Sequence, residues 1–257
     1  MPGILTVERE DLERFDSESA VDFFRELLWA EASAIGIGKD LITVPGVITA
    51  RDGGVDAEVQ AVAVTGGQGL IKRGLTRYQI KTGRFQPSRP SDLRSLFFGT
   101  SGELHPRVAS CFERGGTFVA VLFGWDGTEQ ADDEILSRCR QVLPEKFQSA
   151  RIEIWGQNKL QGFLTHFPSL ALDASGRQTL RFQTHSSWSN GEEMRRRLEI
   201  DAQQVAFIEN LQTAVRGHDQ AIHVRISGDA GCGKTRLVLE ATRADDLRPL
   251  VAYYESP

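Results

Sequence analysis

Two stretches of this chain carry residue types at spacings that could do chemistry. The first runs from Asp52 to Lys81 and reads DGGVDAEVQAVAV, a glycine-broken TGGQG, and then RGLTRYQIKTG. From Val55 the odd positions Val55, Ala57, Val59, Ala61 and Ala63 are apolar, while the even positions Asp56, Glu58 and Gln60 are polar. Such alternation is a strand with two unlike faces. The second arm repeats it, with Tyr78 and Ile80 on one face and Arg77, Gln79 and Lys81 on the other. A turn centred near Gly69 sets Glu58 opposite Lys81 and Gln60 opposite Gln79, and a slip by two keeps the same faces. Two acids, an amide and an ammonium then share one sheet face within roughly 5–8 Å. Taken alone, that set reads as the solvated outer face of an ordinary hairpin. The second stretch is GDAGCGKT, from Gly228 to Thr235. Glycines at 228, 231 and 233 let backbone amides wrap phosphates, Lys234 is placed to reach the β- and γ-phosphates, and Thr235 to ligate Mg2+.

Asp52 to Asp56 followed by Gln79-Ile80-Lys81 resembles the PD-(D/E)xK nuclease superfamily in its Mrr-like branch, where glutamine replaces the acid before the lysine. The resemblance implies an α/β fold with a restriction-endonuclease-like mixed-sheet core flanked by helices, acting on DNA with Mg2+. It implies Asp56 as principal metal ligand, with Gln79 and the Ile80 carbonyl assisting, and Lys81 as the group that positions or activates the attacking water. A first-helix glutamate often completes such a site, and Glu26 matches it better than Glu31. Glu58 is the residue able to stand in for the acid that Gln79 replaces.

GDAGCGKT satisfies the P-loop pattern in a fitting context, with Ile222–Ile226 read as a strand and Arg236 onward as a helix. A PD-(D/E)xK-like domain joined to a P-loop module resembles prokaryotic nuclease–STAND NTPase fusions, many of them associated with phage defence. There the NTPase senses and oligomerises, and the nuclease is the effector. The implied ligands are Mg2+ at the nuclease site, ATP or GTP with Mg2+ at the P-loop, and DNA. Two other classes stay open: a catalytically inactive nucleic-acid-binding scaffold, and a regulatory nucleotide-binding protein whose front domain recognises a partner.

Composition sets the frame for both motifs. The chain has 257 residues, 40% hydrophobic and 25% charged, with a net charge of −5, as expected of a globular protein rather than a wholly basic nucleic-acid coat. Any DNA contact must come from a local patch. One exists: Lys72, Arg73, Arg77, Lys81, Arg84, Arg89 and Arg94 face a single acid, Asp92, in the same stretch. Cys111, Cys139 and Cys232 are widely spaced, without metal-type pairing, and read as reduced thiols of a cytoplasmic protein. The longest apolar run, Phe118–Phe123, is too short to span a bilayer.

The elements that must position these residues follow in order. A helix over AVDFFRELLWAEASAIG, capped by Ser17 or Ser19, ends at Gly36-Ile37-Gly38. LITVPGVITA reads as an edge or bulged strand ahead of the polar-faced hairpin. Then come a helix in RPSDLRSLFFG, capped by Ser91, a buried strand in GGTFVAVLFGWD, and a helix in DDEILSRCRQVLPEKF. A strand in ARIEIWG and a last helix in NKLQGFLTHFPSLAL complete the domain. Residues 1–172 form the nuclease-like domain, 173–191 a polar linker, and 192–257 a helix plus the opening of a P-loop module that would be complete only in a longer protein.

Overall fold

The computed structural model describes residues 3–45, 54–61, 69–86, 89–179, 181–191, 200–216, 224–229 and 231–255. Asp52, Gly53, most of the TGGQG turn, residues 46–50 of the first predicted strand, residues 192–199 of the predicted linking helix, Ala230 and residues 222–223 lie outside them. The fold is α/β. A five-stranded mixed sheet, flanked by helices, keeps its strands in chain order: β1 (Ile42–Thr43), β2 (Ala57–Ala61), β3 (Gly74–Lys81), β4 (Thr117–Leu122) and β5 (Arg151–Trp155). The first three form an antiparallel meander, whereas β3, β4 and β5 are parallel neighbours. Parallel pairing requires crossover connections. They are α3 (Pro90–Ser95) with α4 (Pro106–Glu113) between β3 and β4, and α5 (Glu129–Val142) between β4 and β5.

Strand β4 shows what this layering demands of sequence. Its TFVAVL run is buried throughout, sending Val119 and Val121 into one core and Phe118, Ala120 and Leu122 into the other. The first core lies under α2 (Ser17–Ala34), whose Phe24, Leu27 and Leu28 pack on Tyr78 and Ile80. The second lies under α3, α4 and α5, with Leu93, Leu96, Phe112 and Ile135. The crossovers therefore cover the β3 face that the alternation marked as solvated. Arg77 and Gln79 are buried there.

Helix α2 is capped by Asp16, whose carboxylate accepts from Ser19 N at 2.8 Å, rather than by Ser17 or Ser19. It runs antiparallel to β3. Its first turn meets the strand's end, Ser17 Oγ to Thr82 Oγ1 at 3.2 Å, its middle stacks Phe24 on Tyr78 at 5.2 Å, and its last turn reaches Ile71 through Glu31. A short α1 (Arg9–Glu13) precedes it. The last predicted helix is in fact two, α6 (Gln157–Leu164) and α7 (Pro168–Ser175), because Pro168 starts a new helix at its first position.

The stretch read as a linker is built structure. It contains the end of α7, β6 (Phe182–Thr184) and α8 (His185–Ser189), and β6 pairs antiparallel with β7 (Ala252–Tyr254). Trp188 stacks on Tyr253 at 4.1 Å, and the buried His185 meets the Leu239 carbonyl at 3.3 Å on α10 (Lys234–Ala241). Helix α9 (Ala202–Arg216) packs along α10, with Gln212 Nε2 donating to the Ala241 carbonyl. No described helix is long and apolar enough to cross a membrane.

Gly124 passes close against the Gly83 backbone just beyond the paired ends of β3 and β4. A Cβ there would stand 1.7 Å from the Gly83 carbonyl oxygen, two residues beyond Lys81. Gly124→Ala must push the ends of β3 and β4 apart, so thermal melts should show a loss of about 1–3 kcal/mol. An unchanged melting temperature would mean the two strand ends are not held that closely.

Candidate active site

The β2–β3 register decides what meets at the polar face. Glu58 stands opposite Arg77 and Gln60 opposite Leu75, not opposite Lys81 and Gln79. The displacement preserves the parity of both strands, so hydrophobic pattern could not distinguish it from the expected pairing. Charge does. Glu58 Oε2 accepts from Arg77 Nε at 2.7 Å and from Arg107 Nη2 at 3.1 Å, and Oε1 accepts from Gln60 Nε2 at 2.8 Å. Partial burial alone would raise the Glu58 pKa, yet these donors together hold it below the usual carboxylate value. With both oxygens engaged, Glu58 is a structural anion and not the substitute metal ligand.

The same register leaves the end of β3 to Asp56. Asp56 N donates to the Tyr78 carbonyl at 2.8 Å, and its carboxylate Oδ2 accepts from Ile80 N at 2.6 Å. That bond lays the carboxylate beside the peptide between Gln79 and Ile80. The Gln79 amide is assigned the orientation that satisfies both its neighbours, its N and O exchanged: so turned, Nε2 donates to the Leu96 carbonyl and Oε1 accepts from Lys81 Nζ at 3.3 Å. Asp56 and Lys81 are both half-buried. A carboxylate, an amide oxygen and an ammonium thus stand along one short strand end. The Ile80 backbone engages Asp56 through its N–H.

Neither Glu26 nor Glu31 joins them. Ser17 of α2 touches Thr82, just past the end of β3, and Glu26 and Glu31 lie roughly 13 and 21 Å further along the helix at 1.5 Å per residue. Glu26 lines a separate cleft of about 220 Å3 with Trp29, Lys39, Asp173, Asp245 and Arg248. There burial, and secondarily Glu26, lift Asp173 to about 6. Glu31 is buried and accepts from Ile71 N at 3.1 Å. The expectation that Glu26 completes the site fails because α2 runs antiparallel to β3, carrying its middle away from Lys81.

One contributor had no place in the sequence reading. The first turn of α4 lies against the Asp56 turn: a Cβ on Gly54 would stand 2.2 Å from His105 Cδ2, and Arg107 Nη1 lies 3.5 Å from the Val55 carbonyl. Pro106 at the first helical position, with Val108, Cys111 and Phe112 at helical spacing, was the available signal.

The chemistry of the donor set can be tested against the implied metal. Mg2+ binds through one or two carboxylates, keeping waters and recruiting substrate phosphates, and it takes hard oxygen donors. Asp56 and the Gln79 amide oxygen fit that sparse mode. Among the described residues no three His, Cys, Asp or Glu side chains stand close enough to form a fuller cage. The thiols belong elsewhere; burial pushes Cys111 up to about 11 and Cys139 to about 12.

At the glycine-rich loop, Gly231 and Gly233 adopt φ of 78° and 85°, which side-chain-bearing residues disfavour, and α10 begins at Lys234. The Lys234 ammonium donates to the carbonyls of Gly228 and Asp229 at 2.8 and 2.7 Å. Residues 224–229 take no strand conformation, unlike the expected strand to 226.

The fold and this site define an α/β protein with a mixed sheet and a carboxylate–amide–ammonium group at one strand end. No protein-family model, curated protein or solved structure matches the chain.

Glu31 supplies a pH test. Burial raises it to about 7, against weaker lowering by the Ile71 and Leu70 amides and Lys72. The folded protein therefore binds more protons than the unfolded chain between the ordinary carboxylate pKa and about 7, so stability falls as pH rises through that window. Glu31→Gln keeps an acceptor for Ile71 N and removes the charge. Denaturant titrations should find it stabilised over the parent by a few kcal/mol at pH 8 and nearly equal at pH 5; a pH-independent difference would contradict this.

Proposed function

We propose that this chain is a Mg2+-dependent DNA endonuclease effector governed by its nucleotide-binding module, in the setting of phage defence. The observation that carries the reading is the Asp56 carboxylate on Ile80 N–H beside a Lys81 ammonium held by Gln79. The antiparallel meander followed by parallel crossovers supports it, since that order leaves the end of β3 between covered faces. Bound at Asp56 and Gln79, Mg2+ would supply Lewis-acid stabilisation of a phosphate and lower the pKa of an attacking water.

The chain's own residues account for the rest. Lys81 offers a positive charge to the scissile phosphodiester and offsets the charge that grows on it during attack. Gln79 fixes the direction of that ammonium, and the Leu96 carbonyl fixes Gln79. Asp56 is oriented by a backbone N–H, which holds its second oxygen in a set direction. The P-loop lysine, held on its own loop carbonyls, would transfer to nucleotide phosphates on binding. A second reading, a catalytically inactive nucleic-acid- or partner-binding domain, is favoured by one observation: Glu26 and Glu31, the two glutamates weighed as completing the site, both lie away from Lys81.

Supercoiled-plasmid nicking in Mg2+ and Mn2+ separates the two. Lys81→Ala and Asp56→Asn, the latter keeping an acceptor for Ile80 N, should each lose at least about a hundredfold in rate with little change in melting. Variants that cut as fast as the parent would remove these residues from the active site. DNA binding without cutting by the parent itself would establish the second reading. A further expectation concerns control in a protein that carries the whole nucleotide-binding module: there nicking should change on adding ATP or GTP, and Lys234→Ala should abolish that response.

A further inference from the structure

Glu26 lies in a cleft of about 220 Å3 between α2, α7 and the C-terminal segment. Helical spacing builds two of its walls. Glu26 and Trp29 are three residues apart on α2, and Ser169 and Asp173 four apart on α7, so each pair shares a face. Burial and, after it, the Glu26 charge lift the Asp173 carboxyl to about 6, so the two acids stand within electrostatic reach of each other. The lysine of the cleft does not relieve them. The Lys39 ammonium is taken up by Asp245 at 2.9 Å and lies over the Trp29 ring at 5.3 Å. Ser169 is an independent sign of a missing partner. It is 5% exposed, what it exposes opens on the cleft, and its hydroxyl makes no hydrogen bond among the described residues. A hydroxyl so enclosed ordinarily has a partner.

We propose that this cleft binds a small zwitterion of amino-acid size, with its ammonium on Glu26, Asp173 and Ser169 and its acidic group on Arg248. A primary ammonium has three N–H donors and no acceptor. The Glu26 carboxylate, the Ser169 hydroxyl and Asp173 Oδ2 match it, while Asp173 Oδ1 already accepts from Gln178 Nε2. A divalent metal matches them less well, because no three His, Cys, Asp or Glu side chains of the described residues stand together as a cage. Arg248 lines the same cleft and reaches Ser186 Oγ at 3.4 Å, pairing with no carboxylate among the described residues. Its planar guanidinium fork suits the oxygens of a carboxylate or phosphate. With Lys39 and Asp245 paired, two acids and one arginine remain, and a ligand of both signs satisfies all three. Bound there, it ties α2 and α7 to the segment beyond α10. The assignment does not depend on the nuclease reading.

The test is a thermal-shift series on the full 257-residue chain with each of the common L-amino acids, followed by calorimetry of those that stabilise it. At least one should raise the melting temperature, as a ligand of the folded state alone must. n-Butylamine and butyrate, which carry one end each, should bind at least about tenfold more weakly. Glu26→Gln and Arg248→Gln should each lower the affinity for the amino acid by about tenfold or more, and Ser169→Ala by less. Glu26 is exposed on α2, so the ligand-free melting of Glu26→Gln should match the parent. No binding by any amino acid overturns the assignment, and so does a Glu26→Gln variant that binds like the parent. n-Butylamine binding as tightly as the amino acid would make this a site for cations alone and overturn the zwitterion. Displacement of the amino acid by equimolar Ca2+ would make it a metal site and overturn it too. If Arg248→Gln fails to fold, the comparison of the amino acid with n-butylamine decides the role of the arginine.

Discussion

Glu58 takes Arg77 and Arg107 on one carboxylate oxygen, and the geometry of the site follows from that shared contact. It pairs β2 with β3 at Glu58 opposite Arg77, which carries Lys81 past the paired end of β2. It also draws the first turn of α4 onto the sheet beside Gly54, where there is room for the His105 ring only because residue 54 has no Cβ. Asp56 is then the β2-side residue that reaches the last peptides of β3, through Ile80 N. A register displaced toward the expected one would put Glu58 beside Lys81 and neutralise the ammonium.

The arrangement also depends on burying charge economically. Arg77 is nearly enclosed, and an unpaired charge there would cost several kcal/mol. The price is offset by good geometry, because Nε is on Glu58 and Nη1 on a helix carbonyl. Replacing such a group by apolar side chains is often neutral or better for stability in general. What an apolar replacement could not supply here is register: apolar residues on this face would fit several even-numbered slips equally well. Gln79 plays a comparable part nearer the strand end, tying α3 to Lys81 through one amide.

The C-terminal segment is joined to the core by more than chain connectivity. Lys39 pairs with Asp245 at 2.9 Å, Arg248 approaches Ser186, and β7 adds to β6 directly after α7. Helix α10, which begins at Lys234, touches His185 of the connector. Helix α7 packs on α2, and the first turn of α2 touches Thr82 next to Lys81. The glycine-rich loop and the end of β3 therefore belong to one contiguous set of packed elements.

Local pattern determined a good deal of this protein. The alternation from Val55 marks β2, the apolar run at Phe118 marks β4, the 3.6-residue periodicity at Phe23–Leu28 marks α2, and the glycine spacing marks the loop before Lys234. Each of those signals is written in neighbouring residues, and each depends on burial or backbone freedom at the position itself. Tertiary structure decided the rest. The polar face of β3 is buried because parallel pairing forces α3 and α4 across it. The break at Pro168 and the α4 turn at Pro106 were legible in principle, but what α4 lies against was not. Register was undetermined because a period of two cannot distinguish even slips, and a contact with Arg107, from a distant helix, resolved it. Glu26 was misplaced for a similar reason: sequence gives a residue's face on a helix, whereas the direction in which the helix crosses the sheet depends on what both surfaces bury.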